Sequence, residues 1–224
     1  MKYRDLFIDV DDTLLDFGKD ELHAITTTFN ALQIDANSTN INLYIAINAS
    51  LWELHNQGKF EKSKIRTARF AYTLSVLQRE DIDPSVAANI YVDALSQTGN
   101  LFSGVIETLH QLKEKGHRIY LITNGFTTIQ TPRLKRSGLD SLVDGIFISE
   151  QIGFNKPDVA FMEYVSQHID DFDKDNSLII GDSYSSDIQL GLNANIDTVA
   201  ITSNDIPQAT YQLPSFTQIL SILD

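Results

Sequence analysis

The spacing of apolar residues divides the chain into two parts with different periodicities. Between Gly18 and Gly99 the pattern is that of amphipathic helices, with little strand-like alternation, and the only breakers are Gly58 and Pro84. This part predicts four helices, at roughly residues 20–33, 40–56, 61–79 and 84–97.

In the remainder of the chain, short apolar runs alternate with helical patterns. The predicted strands are Leu6–Asp9, Arg118–Thr123, Gly145–Ser149, Ser177–Gly181 and Thr198–Ile201. The predicted helices are 104–115, 127–137, 158–168, 184–193 and 215–223. Gly116 and Gly138 stand where helix C-terminal caps belong. Because strands alternate with helices, we expect an α/β fold with a parallel sheet covered on both faces.

The helical part interrupts the α/β pattern directly after the first strand. We therefore predict a core domain of residues 1–16 plus 100–224 and an inserted helical domain of residues 17–99. Glycines at the two necks of the insertion, Gly18 and Gly99, suit a hinge or a lid, and they fit ordinary loops equally well.

Polar residues collect where the predicted strands end. In an open parallel sheet, ligands bind beyond the carboxyl ends of the strands. The residues in question are Asp9, Asp11 and Thr13 after the first strand, Thr123, Asn124 and Gly125 after the second, Asn155 and Lys156 after the third, and Asp182, Ser183 and Asp187 after the fourth. The four strand ends together predict one site at this edge of the sheet.

The acidic residues of this set predict a metal site. The carboxylates of Asp9, Asp11 and Asp182 are oxygen ligands of the kind that Mg²⁺ prefers. A cation, together with Lys156, offsets the repulsion among aspartates that crowd the end of a buried strand.

The same set is suited to phosphoryl transfer. The Thr123 hydroxyl and the N–H groups around Asn124 and Gly125 are potential donors to phosphate oxygens. An aspartate facing phosphorus beside a cation acts as a nucleophile. A second aspartate two residues further on is able to protonate the leaving oxygen and then activate water.

Four segments carry a family resemblance. DVDDT, ITNG, NKP and GDSYSSD, in this order and spacing, resemble the four motifs of the haloacid dehalogenase superfamily. The resemblance covers essentially the whole chain. It implies a Rossmann-like core with strand order 5-4-1-2-3 and an α-helical cap inserted after the first motif.

The resemblance also implies roles for individual residues. Asp9 is the nucleophile that forms an aspartyl-phosphate, and Asp11 is the general acid/base, with its backbone carbonyl a metal ligand. Thr123 and Lys156 hold the phosphate and orient Asp9.

Further roles follow for the residues around them. The resemblance implies that Asp182 binds Mg²⁺ directly and that Asp187 binds through water or braces the site. Thr13 is expected to brace the turn, and Asp12 inherits no role. Phe17, just after the first motif, is placed to contact the leaving group and to stack on a nucleobase.

Two details narrow the reaction. True dehalogenases lack the acid/base aspartate, so Asp11 favours phosphate ester hydrolysis over carbon–halogen cleavage. Residues 51–70, 122–139 and 148–157 are similar to a nucleotidase branch of the superfamily, which acts on pyrimidine and related nucleoside 5′-monophosphates. The implied substrate is a small phosphate ester, specifically a nucleotide.

Composition limits partners and location. A net charge of −13 argues against nucleic acid and anionic membranes as partners. The absence of cysteine excludes disulfides and thiol nucleophiles. With no signal-peptide pattern and no apolar run long enough for a membrane span, we expect a cytoplasmic protein.

Other charged and aromatic positions receive structural interpretations. The basic residues of 59–69 are able to steer an anionic substrate, but we interpret them as a solvated helix face. The same interpretation covers Arg133, Lys135 and Arg136, and Trp52 is assigned to the core of the helical domain.

Three alternatives remain on sequence grounds. A phosphosugar phosphatase or mutase of the same fold has the same motifs. A non-catalytic phospho-receiver module also gathers aspartates, a hydroxyl and a lysine around Mg²⁺, although the helical insertion and Asp11 argue against it. A degenerate member that only binds a partner conflicts with the intact Asp9, Asp11, Lys156 and Asp182.

Overall fold

The computed structural model of the chain describes residues 2–223. It divides into two compact units. One unit comprises the residues up to Phe17 and from Gly99 onward, and the other comprises Gly18–Thr98. These limits lie within one residue of those predicted for the core and for the inserted helical domain.

The helical unit is built from four helices. They are α1 (Phe17–Ala31), which starts in the other unit, α2 (Ser38–Asn56), α3 (Lys62–Val76) and α4 (Pro84–Ser96). The Asn37 side chain caps α2 by accepting a bond from the Asn40 N–H at 2.9 Å. Asp83 caps α4 in the same way, and Pro84 occupies the first turn, where no helical N–H is needed.

Each of these helices contributes one aromatic ring to the centre of the unit. Tyr44 lies with its ring centroid 5.2 Å from that of Phe70, 5.4 Å from that of Tyr91 and 6.5 Å from that of Phe29. All four side chains are fully buried. Trp52, which was predicted to be core, is only half-buried, with its ring 5.9 Å from that of His55.

A chain of buried polar groups runs beside the aromatic rings. The Asn48 side chain donates to Glu21 at 2.7 Å and accepts from Arg69 Nη1 at 3.2 Å, and all three residues are buried. The interpretation of the basic run as a solvated helix face is therefore wrong for Arg69. Its guanidinium lies 4.3 Å from the centre of the Tyr91 ring, on the inner side of α3.

The other unit contains a parallel sheet. Within the described residues its strands are β1 (Asp5–Ile8), β2 (Arg118–Thr123), β3 (Gly145–Ile148), β4 (Ser177–Gly181), β5 (Asp197–Ile201) and β6 (Tyr211–Leu213). They are ordered β3-β2-β1-β4-β5-β6 and every pairing is parallel. The predicted α/β fold and the order 5-4-1-2-3 are confirmed, and β6 adds an edge strand that was not predicted.

Helices cover both faces of this sheet. They are α5 (Val105–Glu114), α6 (Thr127–Ser137), α7 (Ser149–Ile152), α8 (Val159–Gln167), α9 (Gln189–Ala194) and α10 (Leu220–Leu223). In β1, Leu6 and Ile8 belong to the core on one face with Leu109 of α5. Phe7 points to the opposite core, with Phe161 of α8. Burial on both faces explains why this strand is a continuous apolar run.

The amino end of β1 is held by an ion pair. Asp5 is fully buried, and Arg118, its partner in the strand register, donates to both carboxylate oxygens at 2.5 and 2.8 Å. Charge at this end of the sheet thus has a structural partner, which leaves the carboxyl end for chemistry.

Among residues 2–223, no helix combines the length and the apolar character needed to cross a membrane.

The Asn48 contacts predict a stability effect. Replacing Asn48 with Leu keeps the number and branching of the side-chain heavy atoms but removes the acceptor for Arg69 Nη1 and the donor to Glu21. We expect the free energy of unfolding to fall by about 1–3 kcal/mol, the usual cost of an unsatisfied buried polar group. Urea unfolding followed by circular dichroism measures it. Ser50→Ala, an exposed change on the same helix, is the control; equal unfolding midpoints for N48L and wild type would contradict the structural role.

Candidate active site

Asp9 lies where β1 ends. Its N–H donates to the Ile180 carbonyl of β4 at 2.8 Å, which continues the strand pairing and fixes the start of its side chain. One carboxylate oxygen, Oδ1, accepts from Lys156 Nζ at 2.5 Å. The other, Oδ2, lies 3.4 Å from the Thr13 hydroxyl. Asp9 is buried, with one strongly held oxygen and one less committed oxygen.

Lys156 brings its charge to the centre of this edge. Its ammonium donates to Asp9 at 2.5 Å, to Asp187 at 2.6 Å and to the Ile122 carbonyl at 3.1 Å, so three acceptors match its three donors. Burial by itself lowers the pKa of Lys156, but the Asp187 and Asp9 carboxylates outweigh burial and hold the pKa above its ordinary value. Lys156 is therefore a permanent cation in this site.

The loop that carries Lys156 is tied to the end of β2. The Asn124 amide donates to the Lys156 carbonyl at 2.8 Å and accepts from the Lys156 N–H at 2.9 Å. This reciprocal pair sets the position from which the lysine reaches Asp9. A substrate contact for Asn124 stays a prediction, but its side chain already serves to position Lys156.

The Thr123 hydroxyl is oriented to donate a hydrogen bond. Its oxygen accepts from the Gly125 N–H at 3.0 Å and from Gln130 Nε2 at 3.0 Å. A hydroxyl has two lone pairs and one proton, so with both lone pairs engaged its remaining capacity is as a donor. This is the polarity that a phosphate oxygen requires. Gly125 directs its N–H to Thr123, and its predicted substrate contact also remains a prediction.

Three carboxylates converge beside Lys156. Oxygens of Asp9, Asp182 and Asp187 lie within 4.8 Å of one another. Burial, and then the neighbouring carboxylates of Asp187 and Asp182, raise the pKa of Asp9 well above its ordinary value, although Lys156 opposes the shift. Burial, with Asp187 and Asp12 next, raises the pKa of Asp182 to about 7. These three carboxylates offer only oxygen ligands, and the raised pKa values of Asp9 and Asp182 show that full ionisation is unfavourable without added positive charge. Both properties fit a hard divalent cation such as Mg²⁺.

Local backbone structure places Asp187. It lies in a π-helical turn, Tyr184–Ile188, that precedes α9, and its second oxygen accepts from the Ser183 N–H at 3.2 Å. Gly181, at the end of β4, admits the side chain, because a Cβ there would lie 2.3 Å from the Asp187 carboxyl group. Asp187 is bonded to both Lys156 and this loop, and its predicted bracing role stays a prediction.

The turn after β1 places Asp12 near the acidic cluster, which the sequence did not suggest. Asp12 adopts a left-handed conformation with φ of 58°, and its N–H closes the turn onto the Leu15 carbonyl at 2.8 Å. Its carboxylate lies close enough to contribute to the raised pKa of Asp182. Asp12, assigned no role from the sequence, therefore adds negative charge to the acidic cluster.

The Asp11 side chain is bound by one helix. Gln130 Nε2 donates to one carboxylate oxygen and Arg133 Nη1 to the other, each at 2.6 Å. The Asp11 carboxylate is thus held by α6 rather than by the acidic cluster, so the idea that it ligates a metal directly finds no support in the geometry. A contribution from its backbone carbonyl stays a prediction.

Sequence reasoning missed both donors. Gln130 was not considered, and the interpretation of Arg133 as a solvated helix residue is wrong, because its side chain is fully buried. Its guanidinium also lies 5.6 Å from the centre of the Phe17 ring, which gives Phe17 a protein contact in addition to its predicted substrate contact. The available signal was the three-residue spacing of two long polar side chains on the helix that follows the second motif. Lys135 and Arg136 are exposed, as predicted.

The fold and this set of side chains define a hydrolase of a known class. The family model described as haloacid dehalogenase-like hydrolase matches residues 6–201. The chain belongs to this family, as its motifs predicted.

Two named relatives and a solved structure match the chain over almost its full length. The chain is 36% identical to the pyrimidine 5′-nucleotidase PynA of Streptococcus pneumoniae, covering 100% of this chain and 96% of that protein. It is 27% identical to the pyrimidine 5′-nucleotidase YjjG of Escherichia coli, covering 97% and 94%. The crystal structure of the HAD-hydrolase YfnB of Bacillus subtilis bound to magnesium superposes with a TM-score of 0.93 at 31% identity, covering 100% of both chains.

The raised pKa of Asp182 predicts a pH-dependent response to metal. The folded protein keeps this proton up to about pH 7, whereas an unfolded chain loses it near 3.8. Without metal, the stabilisation is therefore complete below the unfolded value and is lost as the pH rises through the folded value. Because Mg²⁺ binds the ionised form, we expect it to raise the melting temperature more at about pH 8 than at about pH 5.

Thermal melts in EDTA and in MgCl₂ at the two pH values measure this response. Asp182→Asn should lose most of the Mg²⁺-induced shift, whereas Asp93→Asn, an exposed change on α4, should keep it. A wild-type shift of equal size at both pH values would contradict the assignment.

Proposed function

We propose that this hydrolase is a Mg²⁺-dependent phosphomonoesterase that acts on nucleoside 5′-monophosphates through an aspartyl-phosphate. The observation that carries the proposal is the convergence of Asp9, Lys156 and the donor-oriented Thr123 hydroxyl at one edge of the sheet. The relationship to two pyrimidine 5′-nucleotidases supports the substrate class.

In the first step, an Asp9 carboxylate oxygen forms a bond to phosphorus while the ester P–O bond breaks. Oδ2 is the less committed oxygen of Asp9 and is the proposed nucleophile. Asp11 transfers its proton to the departing oxygen, so that an alcohol rather than an alkoxide leaves. Lys156 and Thr123 hold the phosphoryl oxygens and stabilise the charge that develops on them.

In the second step, water attacks phosphorus and the bond from phosphorus to Asp9 breaks. Asp11, now ionised, takes the proton from the water, which restores both aspartates and releases inorganic phosphate. Asp9 and Asp182 would hold Mg²⁺, with Asp187 beside them. When bound, the cation supplies positive charge that favours ionised Asp9 and offsets negative charge on the phosphoryl group.

We propose that the helical unit Gly18–Thr98 serves as the cap of this enzyme and selects the leaving group. It follows the nucleophile-bearing turn directly in sequence, and Phe17 is the last residue before it.

The nucleophile assignment predicts a large loss of turnover. Asp9→Asn cannot form the acyl-phosphate, and we expect multiple-turnover phosphate release to fall by at least about 1,000-fold. Phosphate release from uridine 5′-monophosphate in MgCl₂ is the measurement, and Asp93→Asn is the matched control on an exposed carboxylate. Near-full phosphate release by D9N would contradict the proposed mechanism. Stoichiometric phosphorylation without turnover in the wild type would favour a receiver module instead.

The substrate proposal is tested by removing only the base. Ribose 5-phosphate presents the same ester as uridine 5′-monophosphate but lacks the nucleobase. If the enzyme recognises nucleotides, kcat/KM for the nucleotide should be at least about tenfold higher, which corresponds to about 1.4 kcal/mol of base recognition. Equal values, or a rearranged sugar phosphate in place of free phosphate, would favour a phosphosugar phosphatase or a mutase.

A further inference from the structure

Both oxygens of the Asp11 carboxylate are bound by side chains of a single helix. Gln130 and Arg133 are three residues apart on α6, and each donates to a different oxygen at 2.6 Å. Residues at this spacing lie on the same face of a helix, so the two donors move together. Two bonds to two oxygens fix the rotation of the carboxyl group as well as its location.

The two donors also fix each other. Arg133 Nη1 donates to Gln130 Oε1 at 3.1 Å in addition to its bond to Asp11. This contact assigns the orientation of the Gln130 amide, because its oxygen must face the guanidinium and its nitrogen must face Asp11. The three side chains form a closed hydrogen-bonded ring.

The ring reaches the phosphate-binding side of the site through the same amide. Gln130 Nε2 donates to the Thr123 hydroxyl oxygen at 3.0 Å as well as to Asp11. Gly125 leaves the room for this side chain, because a Cβ there would lie only 2.4 Å from Gln130 Nε2. One amide therefore sets the distance between the acid/base and the Thr123 hydroxyl.

Burial gives the ring its rigidity. Arg133 has 0% exposed surface and Gln130 has 1%, whereas the Asp11 side chain keeps 29% of its surface exposed. A fully buried guanidinium requires polar partners, and the Asp11 carboxyl group supplies an acceptor oxygen. Each Asp11 oxygen retains a second lone-pair site for proton exchange, since each accepts one bond from the pair on α6.

We propose that Gln130 and Arg133 are positioning residues that hold the Asp11 carboxyl group for proton transfer to the leaving oxygen. The inference rests on the proposed function, in which Asp11 is the acid/base. Neither Gln130 nor Arg133 bonds to phosphorus in this proposal. The two residues contribute by orienting Asp11 while Asp11 gives a proton to the leaving oxygen. The effect of the two residues on the rate should therefore be larger for a leaving group that depends more on protonation.

The test compares two phosphate esters that differ in this need. p-Nitrophenyl phosphate releases a stabilised anion that needs little protonation, whereas uridine 5′-monophosphate releases an alkoxide that needs a full proton. The quantity to compare is kcat/KM, because it reports the steps up to loss of the leaving group and is insensitive to the later attack of water.

We expect Arg133→Met to lower kcat/KM for uridine 5′-monophosphate by about 10–100-fold and for p-nitrophenyl phosphate by less than about threefold. Gln130→Met also removes a donor to Thr123, so it should lower both values, with the larger loss on uridine 5′-monophosphate. Arg133→Lys keeps a donor and should recover part of the loss. Asp11→Asn should show the same preference with a larger loss. Lys135→Met, on the exposed side of α6, should leave both values unchanged.

The outcomes separate the two proposals. Equal losses on both esters, no loss, or faster cleavage of the nucleotide in the variants would overturn the positioning role while leaving the phosphatase assignment intact. A wild type that releases phosphate from neither ester, or D11N without leaving-group dependence, would overturn the proposed function itself. Thermal melts of each variant identify those that fold. If R133M does not fold, the ratio of the two losses in Q130M, which removes no charge, keeps the test decisive, because a lost contact with Thr123 lowers both values alike.

Discussion

The Lys156 ammonium is the interaction on which the rest of the site depends. It is fully buried and joins Asp9 at the end of β1, the carbonyl of Ile122 on β2 and Asp187 beyond β4. Without a cation at this point, the carboxylates would repel one another across the edge of the sheet where the strands must meet. A buried charge of this kind contributes little net stability, because desolvation offsets attraction. Its value lies in fixing where the aspartates stand.

Lys156 neutralises only part of the negative charge around it. One ammonium faces Asp9, Asp182 and Asp187, and the raised pKa values of Asp9 and Asp182 show that negative charge remains in excess. The fold therefore favours the protonated form of these carboxyl groups where a divalent cation is expected to bind. In contrast, Asp5 at the other end of β1 has a matched bidentate partner in Arg118. The two ends of β1 thus differ: side chains of the protein balance the negative charge at the amino end, whereas negative charge at the carboxyl end remains in excess.

Much of this arrangement follows from sequence for a physical reason. The central strands are buried on both faces and appear as continuous apolar runs, and the residues at their ends share an edge because parallel strands point the same way. The edge strand β6 has only three residues, too few to show a period. The helix predicted at 184–193 is a π-helical turn followed by α9, a change that accompanies the placement of Asp187 against Lys156.

The errors concern charges whose partners are distant in sequence. Arg133 meets Asp11 across 122 positions, and Arg69 meets Asn48 across 21. Charge alone does not show whether a basic residue on a helix points inward, because burial is decided by a partner elsewhere in the chain. The motifs at the strand ends were recognisable, whereas the residues that orient them were not.

The common origin of Gln130 and Arg133 on α6 has a consequence for how such an enzyme is altered. Asp9, the proposed nucleophile, is set from β1 and from the loop that carries Lys156, whereas the carboxyl group of Asp11, the proposed acid/base, is set from a separate helix. The two proposed halves of the reaction thus have separate main supports, joined where the Gln130 amide also donates to Thr123. Evolution or an engineer is free to retune how readily a difficult alcohol departs by changing Arg133, whereas a change of Gln130 also reaches the Thr123 hydroxyl.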